Sequence, residues 1–505
     1  MSDQTFQIVA LLLYFAAMIG IGVYAYRRTS DHEDYMIAGR KLSPTTAALS
    51  AGASDMSGWL MMGLPGAIYV AGLIESWIAI GLTIGAYLNW MFVAPRLRSY
   101  TEVAKNSITI PSFFENRLHD TSRALRVASG VIVLVFFVFY VSSMMVAGGE
   151  FFVIAFDTPY ITGMLIVAAV TLAYTMIGGF LGASLTDVVQ GTLMMLALLL
   201  IPILTIVAVG GFGATTDAIR EVNPGALSFL AGGAMTGATT IAIISALAWG
   251  LGYFGQPHII VRFMAMRNPK SAGAARRIGI SWMAISLFGA VAAGLAGIAY
   301  FHVSDLSLGN PEHVVLALSQ IMMHPFLAGF VFAAVLAAIM STVSSQLIVS
   351  SSAFVEDLYR VFRKDASPRF LMVLGRIVVL VVGVIAMVLA INPADTILGL
   401  VAFAWAGFGA SFGPAILLSL FWRRLSNWGA LAGMVTGAAT VFLWSYFGPE
   451  IFGAGLYEIV PGFIVNLLVA VVVSKLTYKP NEQMEEEYDR AVGLAKGKAT
   501  TAPTA

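Results

Sequence analysis

The sequence predicts an all-α protein that crosses a lipid bilayer many times. Of its 505 residues, 59% are hydrophobic and only 11% are charged, whereas soluble domains carry about 25% charged residues. Apolar segments of about 20 residues, the length that spans a bilayer as a helix, recur along the chain. Two of these segments are interrupted by glycine, proline and polar residues. The predicted fold is therefore a bundle of transmembrane helices, two of which are broken inside the membrane.

The same composition excludes several classes of function. The chain has no cysteine, which rules out disulfides, thiolate metal sites and cysteine nucleophiles. Its formal net charge is only +1, and no long basic block indicates a nucleic-acid partner. The six histidines include no His-Glu-x-x-His pair, and the polar tail after Lys475 is too short for the output domain of a sensor. We therefore expect neither an enzyme nor a sensor.

Thirteen segments are long and apolar enough to cross the bilayer. They fall near residues 6–26, 44–63, 66–94, 127–150, 160–179, 185–210, 236–260, 277–301, 325–357, 371–391, 395–421, 428–447 and 457–476. With the N-terminus outside, every lysine and arginine except Arg220 falls on the inner side, and Arg262 is placed in the inner loop after span seven. Positive charges collect in cytoplasmic loops. This alternation predicts thirteen spans, with the N-terminus outside and the C-terminus inside.

The second span contains the most informative stretch, residues 48–59, which reads ALSAGASDMSGW. An interrupted helix is tolerated in hydrocarbon only where its freed carbonyls meet protein, water or an ion. An ionisable group such as Asp55 costs about 2.5–3.5 kcal/mol at membrane depth. With Gly52 and Gly58 as hinges, the stretch predicts a broken helix whose carboxylate and carbonyls bind a small cation. The alternative is a glycine-kinked packing helix in which Asp55 pairs with a neighbour.

A second interruption occurs in span seven, at residues 248–258, which read AWGLGYFGQPH. Three glycines followed by a proline disrupt a helix interior. Spans two and seven therefore look like the first helices of two five-span halves, and the odd shift inverts the second half. Paired interruptions of this kind point to a transporter's binding site, although glycine is common in membrane helices. The predicted parts are an extra first helix and loop at 1–43, the two halves at 44–235 and 236–425, two accessory helices at 426–476 and a cytoplasmic tail at 477–505.

Span nine places hydroxyl groups on one helix face. Ser341, Ser344 and Ser345 stand at i, i+3 and i+4. Hydroxyl and carbonyl oxygens suit a hard cation such as Na⁺, but small hydroxyl residues also simply let membrane helices pack closely. Asp187, at the start of span six, is either an ion exit ligand or a solvated helix cap.

Three other features have two readings each. Tyr140, Trp249 and Tyr253 could enclose a small apolar ring with polar edges, or could be ordinary core aromatics. Arg40 could close an inner gate or could merely follow the positive-inside bias. The segment 306–323 is predicted to be an outer-surface helix or a gate.

Taken together, these residues resemble the sodium:solute symporter family. The resemblance runs over almost the whole chain. Its specific runs are residues 48–59, GLPGA at 63–67, ESWIAIG at 75–81, WGLGYFGQPH at 249–258 and AWAGFG at 404–409. These runs are typical of the proline-transporting branch of the family rather than its sugar, sialic-acid or iodide branches.

The resemblance implies a five-plus-five inverted-repeat amino-acid transporter fold and Na⁺-coupled uptake of L-proline across the bacterial inner membrane by alternating access. It implies a Na⁺ site that includes Asp55, the carbonyls of Ala53, Met56 and Ala338, and the hydroxyls of Ser341 and Thr342. The implied substrate contacts are Ser57, Gly58, Tyr140, Trp249, Tyr253 and Pro257. A second Na⁺ site or a release path is implied at Asp187, Ser344 and Ser345. The alternatives keep the fold and change the cargo to another small carboxylate such as pantothenate, or the ion to H⁺.

Overall fold

The computed structural model describes residues 3–28, 36–230, 232–233, 235–363, 365–452 and 455–497. Within these residues the regular structure is helical, apart from an isolated bridge between Leu42 and Met266. The all-α prediction is therefore confirmed for the part of the chain that is described.

The helices follow one another with short connections. The first nine are α1 (Asp3–Arg28), α2 (Pro44–Asp55), α3 (Leu64–Ala71), α4 (Ser76–Leu88), α5 (Ala94–Val103), α6 (Ile110–Arg117), α7 (Ala124–Phe156), α8 (Tyr160–Val209) and α9 (Phe212–Val222). The others are α10 (Gly237–Gly252), α11 (Pro257–Met264), α12 (Ala272–Val303), α13 (Val314–Met322), α14 (Pro325–Ser352), α15 (Arg360–Phe362), α16 (Pro368–Ala390), α17 (Ile397–Phe421), α18 (Asn427–Phe452), α19 (Ile459–Thr477) and α20 (Glu482–Ala495). Short 3₁₀ turns lie at Ala38–Arg40, Gly72–Glu75, Pro269–Ser271 and Pro311–His313, and π turns at Trp59–Gly63, Asn89–Val93 and Ala353–Tyr359.

Eleven helical stretches among the described residues are long and apolar enough to cross a membrane. Many of their large apolar side chains are exposed, as expected of helices that face lipid rather than water. The chain is therefore a multi-span membrane protein, as the composition predicts.

One of these stretches, Trp59–Val103, contains a reversal of the chain at Gly72. Gly72 has a φ of +77° and ends α3, a backbone conformation that glycine adopts without strain. Leu42, before α2, and Arg98, in α5, both hydrogen-bond to the backbone just after α11. The chain therefore leaves the end of the bundle where α11 ends, crosses through α2 and α3, and returns to the same end through α4 and α5.

The sequence predicts two separate spans at 160–179 and 185–210, but no loop divides them, because the backbone is helical throughout α8, over 50 residues. A straight helix of that length would measure about 75 Å, against about 30 Å for the bilayer core. The first half of α8 is antiparallel to α7, since Gly163 packs against Phe152 and Val167 against Gly148.

The second half of α8 is parallel to α12, since Gly191 packs against Trp282 and Leu198 against Gly289. Helices α7 and α12 point in the same direction, because the end of α7 bonds to the segment that follows α12. The helical run therefore reverses direction between its two halves. The local pattern of apolar residues predicted the two halves of α8 as separate spans, but it could not show that the helical backbone continues between them.

Helices α4 and α10 approach each other backbone to backbone. A Cβ atom on Gly85 would overlap the carbonyl of Gly250, and one on Gly81 would lie 2.5 Å from the carbonyl oxygen of Leu247. Close approach through small residues is the usual way in which membrane helices pack. This contact holds span three against the first half of span seven.

Replacing Gly85 with alanine is expected to destabilise the protein by about 2–3 kcal/mol, since the obstructing atoms are backbone and cannot rotate away. The measurement is the midpoint of thermal unfolding in detergent. Gly22→Ala is the matched control, because no atom lies within 4 Å of the Cβ that it adds. An unchanged midpoint in Gly85→Ala would show that the two helices do not pack this closely.

Basic residues gather at one end of the bundle, where Arg40, Arg98, Arg117 and Arg423 lie near the ends of α11 and α17; we name this end the basic face. There Arg40 is only 8% exposed and donates to the side chain of Asn106 and the carbonyls of Met264 and Ser107. Arg40 thus joins the chain before α2 to the loop after α5 and to the end of α11. This geometry is compatible with both readings of Arg40.

The tail after α19 forms α20 and packs on the basic face. Asp489 pairs with Arg423, and Glu487 lies 2.8 Å from the Nε2 atom of His119. The ring of Tyr488 covers the buried guanidinium of Arg117, and burial lowers the pKa of Arg117. The last residues of the chain, which we expect to be disordered, lie outside the described residues.

At the opposite face, the segment 306–323 folds into a 3₁₀ turn and α13. The carboxylate of Glu312 accepts hydrogen bonds from the N–H groups of Ile397 and Leu398, at the start of α17. Burial raises the pKa of Glu312, and these two N–H groups oppose that effect. The predicted helix is therefore present, and Glu312 joins its start to the first turn of α17; its location on the outer side stays a prediction.

Candidate functional site

Span two breaks where the sequence predicts. Helix α2 ends at Asp55, Met56 to Gly58 link it to the π turn, and α3 follows. The last four carbonyls of an α-helix lack partners within the helix, and here each finds one. The carbonyl of Gly52 accepts from the Met56 N–H (2.8 Å), and that of Ala53 accepts from the Ser341 hydroxyl (2.9 Å). The carbonyl of Ser54 accepts from the Thr342 hydroxyl (3.0 Å), and that of Asp55 accepts from the Trp59 indole N–H (3.0 Å).

Span nine supplies two of these four partners, so the break and the hydroxyl face of α14 meet. The Ser341 hydroxyl is also 3.1 Å from the Ala338 carbonyl, which brings three of the predicted Na⁺ ligands together. The hydroxyl of Thr342 lies beside them but donates to the carbonyl of Ser54. The sequence analysis did not single out Ser54 as a site residue. Met56 is wholly buried within the break. The donor set is made of neutral oxygens, which fits a hard monovalent cation.

The carboxylate of Asp55 connects the two broken helices. It accepts a hydrogen bond from the hydroxyl of Tyr253, and its other oxygen, Oδ1, is buried without a hydrogen-bond partner among the described residues. Asp55 therefore does pair with a neighbour, as the alternative interpretation predicts, but that neighbour is the neutral hydroxyl of Tyr253. A negative charge at the C-terminal end of a helix adds to the negative end of the helix dipole, so this end of α2 attracts cations.

Span seven also breaks as predicted, with α10 ending at Gly252 and α11 beginning at Pro257. Its freed backbone is anchored by side chains from other spans. Asn89 donates to the carbonyl of Tyr253 over 2.8 Å, and the Trp405 indole donates to the carbonyl of Trp249 over 2.8 Å. Sequence reasoning missed Asn89 as an anchor, although an asparagine at membrane depth is itself a signal.

The structure gives Gly52 and Gly58 a packing role, whereas their role as hinges stays a prediction. Neither has a positive φ. A Cβ on Gly52 would lie 2.5 Å from the ring of Trp282, and one on Gly58 would lie 2.9 Å from the Cβ of Ala147. Both glycines are needed for close packing of neighbouring helices against the break.

Two of the three predicted aromatic residues lie together. Trp249 stacks on Tyr457 at 5.4 Å between ring centroids, and Trp405 contacts both Trp249 and Tyr253. A cleft of about 420 Å³ reaches Trp249 between span seven and the start of α19. Tyr457 and Trp405 were missed as members of this cluster, although Trp405 lies in one of the family runs.

The other predicted substrate residues lie around the same two breaks, where Tyr140 is close to Asp55, Tyr253 and Ser57. The ring of Tyr140 is perpendicular to that of His258, with centroids 5.8 Å apart, and Pro257 directly precedes His258. The hydroxyls of Tyr140 and Ser57 are buried and have no hydrogen-bond partner within the described part of the chain. These groups are available to a polar ligand that enters the breaks.

Arg262 corrects the prediction that it lies in an inner loop. Its side chain is 0% exposed, and its Nη2 atom lies 3.4 Å from Oδ2 of Asp187, which is also 0% exposed. Asp187 lies inside the helical run of α8, which makes the reading of a solvated cap wrong. The positive-inside count misled here because it considers charge and sequence position, and a charge paired inside the bundle does not need a loop.

Of the three residues predicted for a second Na⁺ or a release path, two meet at Arg262. Its Nη2 atom donates to the hydroxyl of Ser345 over 2.7 Å as well as contacting Asp187. Ser344 instead donates to the carbonyl of Ser341 over 3.0 Å and does not join them.

Comparison with known proteins identifies the transporter class. A sequence model of the sodium:solute symporter family matches residues 35–437. The chain belongs to the sodium:solute symporter family. This confirms the resemblance, and because the family consists of symporters, it also confirms that the chain is a transporter rather than an enzyme.

Among curated relatives of this symporter is the high-affinity proline transporter PutP of Bacillus subtilis, which is 54% identical over 94% of the chain and 98% of that protein. The osmoregulated proline transporter OpuE of the same organism is 51% identical over 94% of the chain and 95% of its own length. The sodium/proline symporter of Staphylococcus aureus is 47% identical over 98% of the chain and 97% of its own length.

Solved structures show the fold of the symporter. A Na⁺-coupled sialic acid symporter matches with a TM-score of 0.79 and 21% identity, over 95% of this chain and 99% of its own. A nucleobase-cation-symport-1 family transporter matches with a TM-score of 0.52 and 14% identity, over 90% of this chain and 98% of its own. The helices of the present chain are therefore arranged as in secondary transporters.

Proposed function

We propose that this symporter couples the inward movement of Na⁺ to the uptake of L-proline across the bacterial cytoplasmic membrane by alternating access. The observation that carries the proposal is the contact between the two breaks and span nine. Oxygen atoms of Ala53, Ala338 and Ser341 meet there, beside a buried carboxylate, Asp55, that makes no ion pair among the described residues. The relatives that match over most of the chain are proline transporters.

In this proposal Na⁺ binds the carbonyls of Ala53, Met56 and Ala338 and the hydroxyls of Ser341 and Thr342. The hydroxyls of Ser341 and Thr342 now donate to carbonyls of α2, and they would turn their lone pairs to the ion when it binds. Asp55 supplies the negative charge that attracts the ion and orients Tyr253 from the second break.

L-Proline would bind between the breaks, against the aromatic cluster of Trp249 and Tyr253 and the free hydroxyls of Ser57 and Tyr140. The apolar pyrrolidine ring suits the aromatic faces, and the charged ends of the zwitterion suit the hydroxyls and freed backbone. Gly58 and Pro257 shape the backbone beside it. Because Asp55 belongs to the ion site and bonds to Tyr253, ion and substrate favour each other's binding, and by linkage this effect is reciprocal.

The driving force is adequate for accumulation. One Na⁺ that moves inward across 100 mV releases about 2.3 kcal/mol, and a tenfold concentration ratio requires about 1.4 kcal/mol. The electrical term alone therefore supports roughly 50-fold accumulation of a neutral zwitterion for each ion.

We also propose the finer topology of thirteen crossings in two inverted five-span halves, with the basic face toward the cytoplasm. The reversal at Gly72 divides one apolar stretch into two passes, and the reversal within α8 adds another. The matched breaks in spans two and seven support the inversion, and the basic loops support the orientation. The predicted part boundaries at 43, 235, 425 and 476 remain part of this proposal.

The test is uptake of labelled L-proline into proteoliposomes under an inward Na⁺ gradient, with an equal K⁺ gradient as the control. We expect accumulation with Na⁺ only. Equal uptake with K⁺, or uptake driven by an inward H⁺ gradient alone, would overturn the ion assignment. A panel of unlabelled competitors that includes pantothenate tests the substrate, and displacement by pantothenate in preference to proline would overturn that part.

A further inference from the structure

A buried guanidinium is surrounded by oxygen atoms from four different spans. Arg262 donates from Nε to the hydroxyl of Ser50 over 3.1 Å and from Nη2 to that of Ser345 over 2.7 Å. Its Nη1 atom donates to the carbonyl of His258, and Nη2 pairs with Asp187. Ser50 in turn donates to Asp187 over 2.6 Å. We name these five residues the arginine cluster.

The arginine cluster lies directly beside the proposed Na⁺ site, on the side of the basic face. Ser50 precedes Ala53 by three residues in α2, and Ser345 follows Ser341 by four residues in α14. Each step is about one helical turn, or about 5 Å. The same two helices that hold the ion therefore also hold the guanidinium, one turn further toward the cytoplasm.

The donor set around Arg262 is one that would suit an alkali cation. It contains a carboxylate, two hydroxyls and a backbone carbonyl, all oxygen donors. Oδ1 of Asp187 is buried and has no hydrogen-bond partner among the described residues, so the guanidinium does not use the whole capacity of the carboxylate.

We propose that Arg262 is a resident cation that occupies the place of a second Na⁺ and closes the inward path from the first. The inference rests on the proposed function. A Na⁺ that leaves the site at Ser341 toward the cytoplasm meets a fixed positive charge, so inward release requires the guanidinium to move away from Ser50 and Ser345. Without that charge, Asp187 is left with a net negative charge among oxygen donors, where it attracts a cation from solution.

The experiment counts bound ions rather than transport. Purified protein in detergent is equilibrated with radioactive Na⁺, and bound ions per chain are measured for the wild type, Arg262→Gln and the double variant Arg262→Gln/Asp187→Asn. We expect a second bound ion in Arg262→Gln and its loss in the double variant. Arg262→Met, which keeps the volume without the charge, is measured as well in case Arg262→Gln fails to fold.

Arg267→Gln is the matched control, because Arg267 follows closely in the chain but is exposed; its ion count should equal that of the wild type. A neutral variant of Arg262 that folds and binds the same number of ions as the wild type would overturn the inference. That result would leave the proposed function intact if wild-type proteoliposomes still accumulate proline with Na⁺. Absence of Na⁺-driven uptake in the wild type would instead overturn the proposed function.

Discussion

Asp55→Asn is expected to lower Na⁺-driven uptake of L-proline by at least about 100-fold. Removing one charged group from a buried ionic site costs about 3–5 kcal/mol, and 100-fold corresponds to about 2.7 kcal/mol. Asparagine keeps the shape of the side chain and can still accept the hydrogen bond from Tyr253. The substitution therefore tests the charge at the end of α2 and leaves the packing of the break almost unchanged.

Initial rates of uptake in proteoliposomes, measured over a series of Na⁺ concentrations, check this result. The matched control is Ser54→Ala. Ser54 is the neighbouring buried residue, and among the described residues its hydroxyl bonds only within its own helix, to the carbonyl of Ala51 at 3.1 Å. Uptake by Asp55→Asn at the wild-type rate and Na⁺ dependence would show that the carboxylate has no role in ion binding. Thermal unfolding midpoints establish that both variants are folded.

The double variant Ser341→Ala/Thr342→Val is expected to raise the Na⁺ concentration for half-maximal uptake by at least about tenfold, which is about 1.4 kcal/mol. Both hydroxyls lie against carbonyls of α2. Their loss removes two of the proposed ion ligands and leaves the carbonyls of Ala53 and Ser54 without their partners. Saturating Na⁺ should restore part of the maximal rate, because Asp55 and the carbonyl ligands remain.

Ser411→Ala provides the control for loss of a buried hydroxyl. Ser411 is wholly buried in α17 and donates to the carbonyl of Gly407, four residues earlier, so its loss resembles the tested change without touching the break. We expect a Na⁺ dependence like that of the wild type. An equal rise in the half-maximal Na⁺ concentration for Ser411→Ala would attribute the effect to general loosening of the bundle.

The family runs and the two breaks could be found from the sequence because both are local. Several glycines followed by Pro257 disrupt a helix interior whatever surrounds them, and an ionisable residue such as Asp55 in an apolar span points to a functional site. The structure breaks both spans at these positions. Hydropathy predicted the helical spans for the same reason, since each span must satisfy its own backbone in lipid.

Other features could not be read from local pattern. The sequence predicts the glycines of the breaks as hinges, but it could not show that Gly52 packs against Trp282, whose position depends on how α12 packs. Arg262 looked like an inner-loop residue because it follows the positive-inside alternation.

The sequence by itself determined the class of protein, the positions of the interrupted helices and the residue types available to an ion, since these depend on composition and on neighbours in the chain. Only the tertiary structure decided which distant groups meet. Asp55 and Tyr253 are separated by 198 positions, and Asp187 and Arg262 by 75. Such pairs depend on the rotation and depth of whole helices, and these are set by packing among many spans, which no single span encodes.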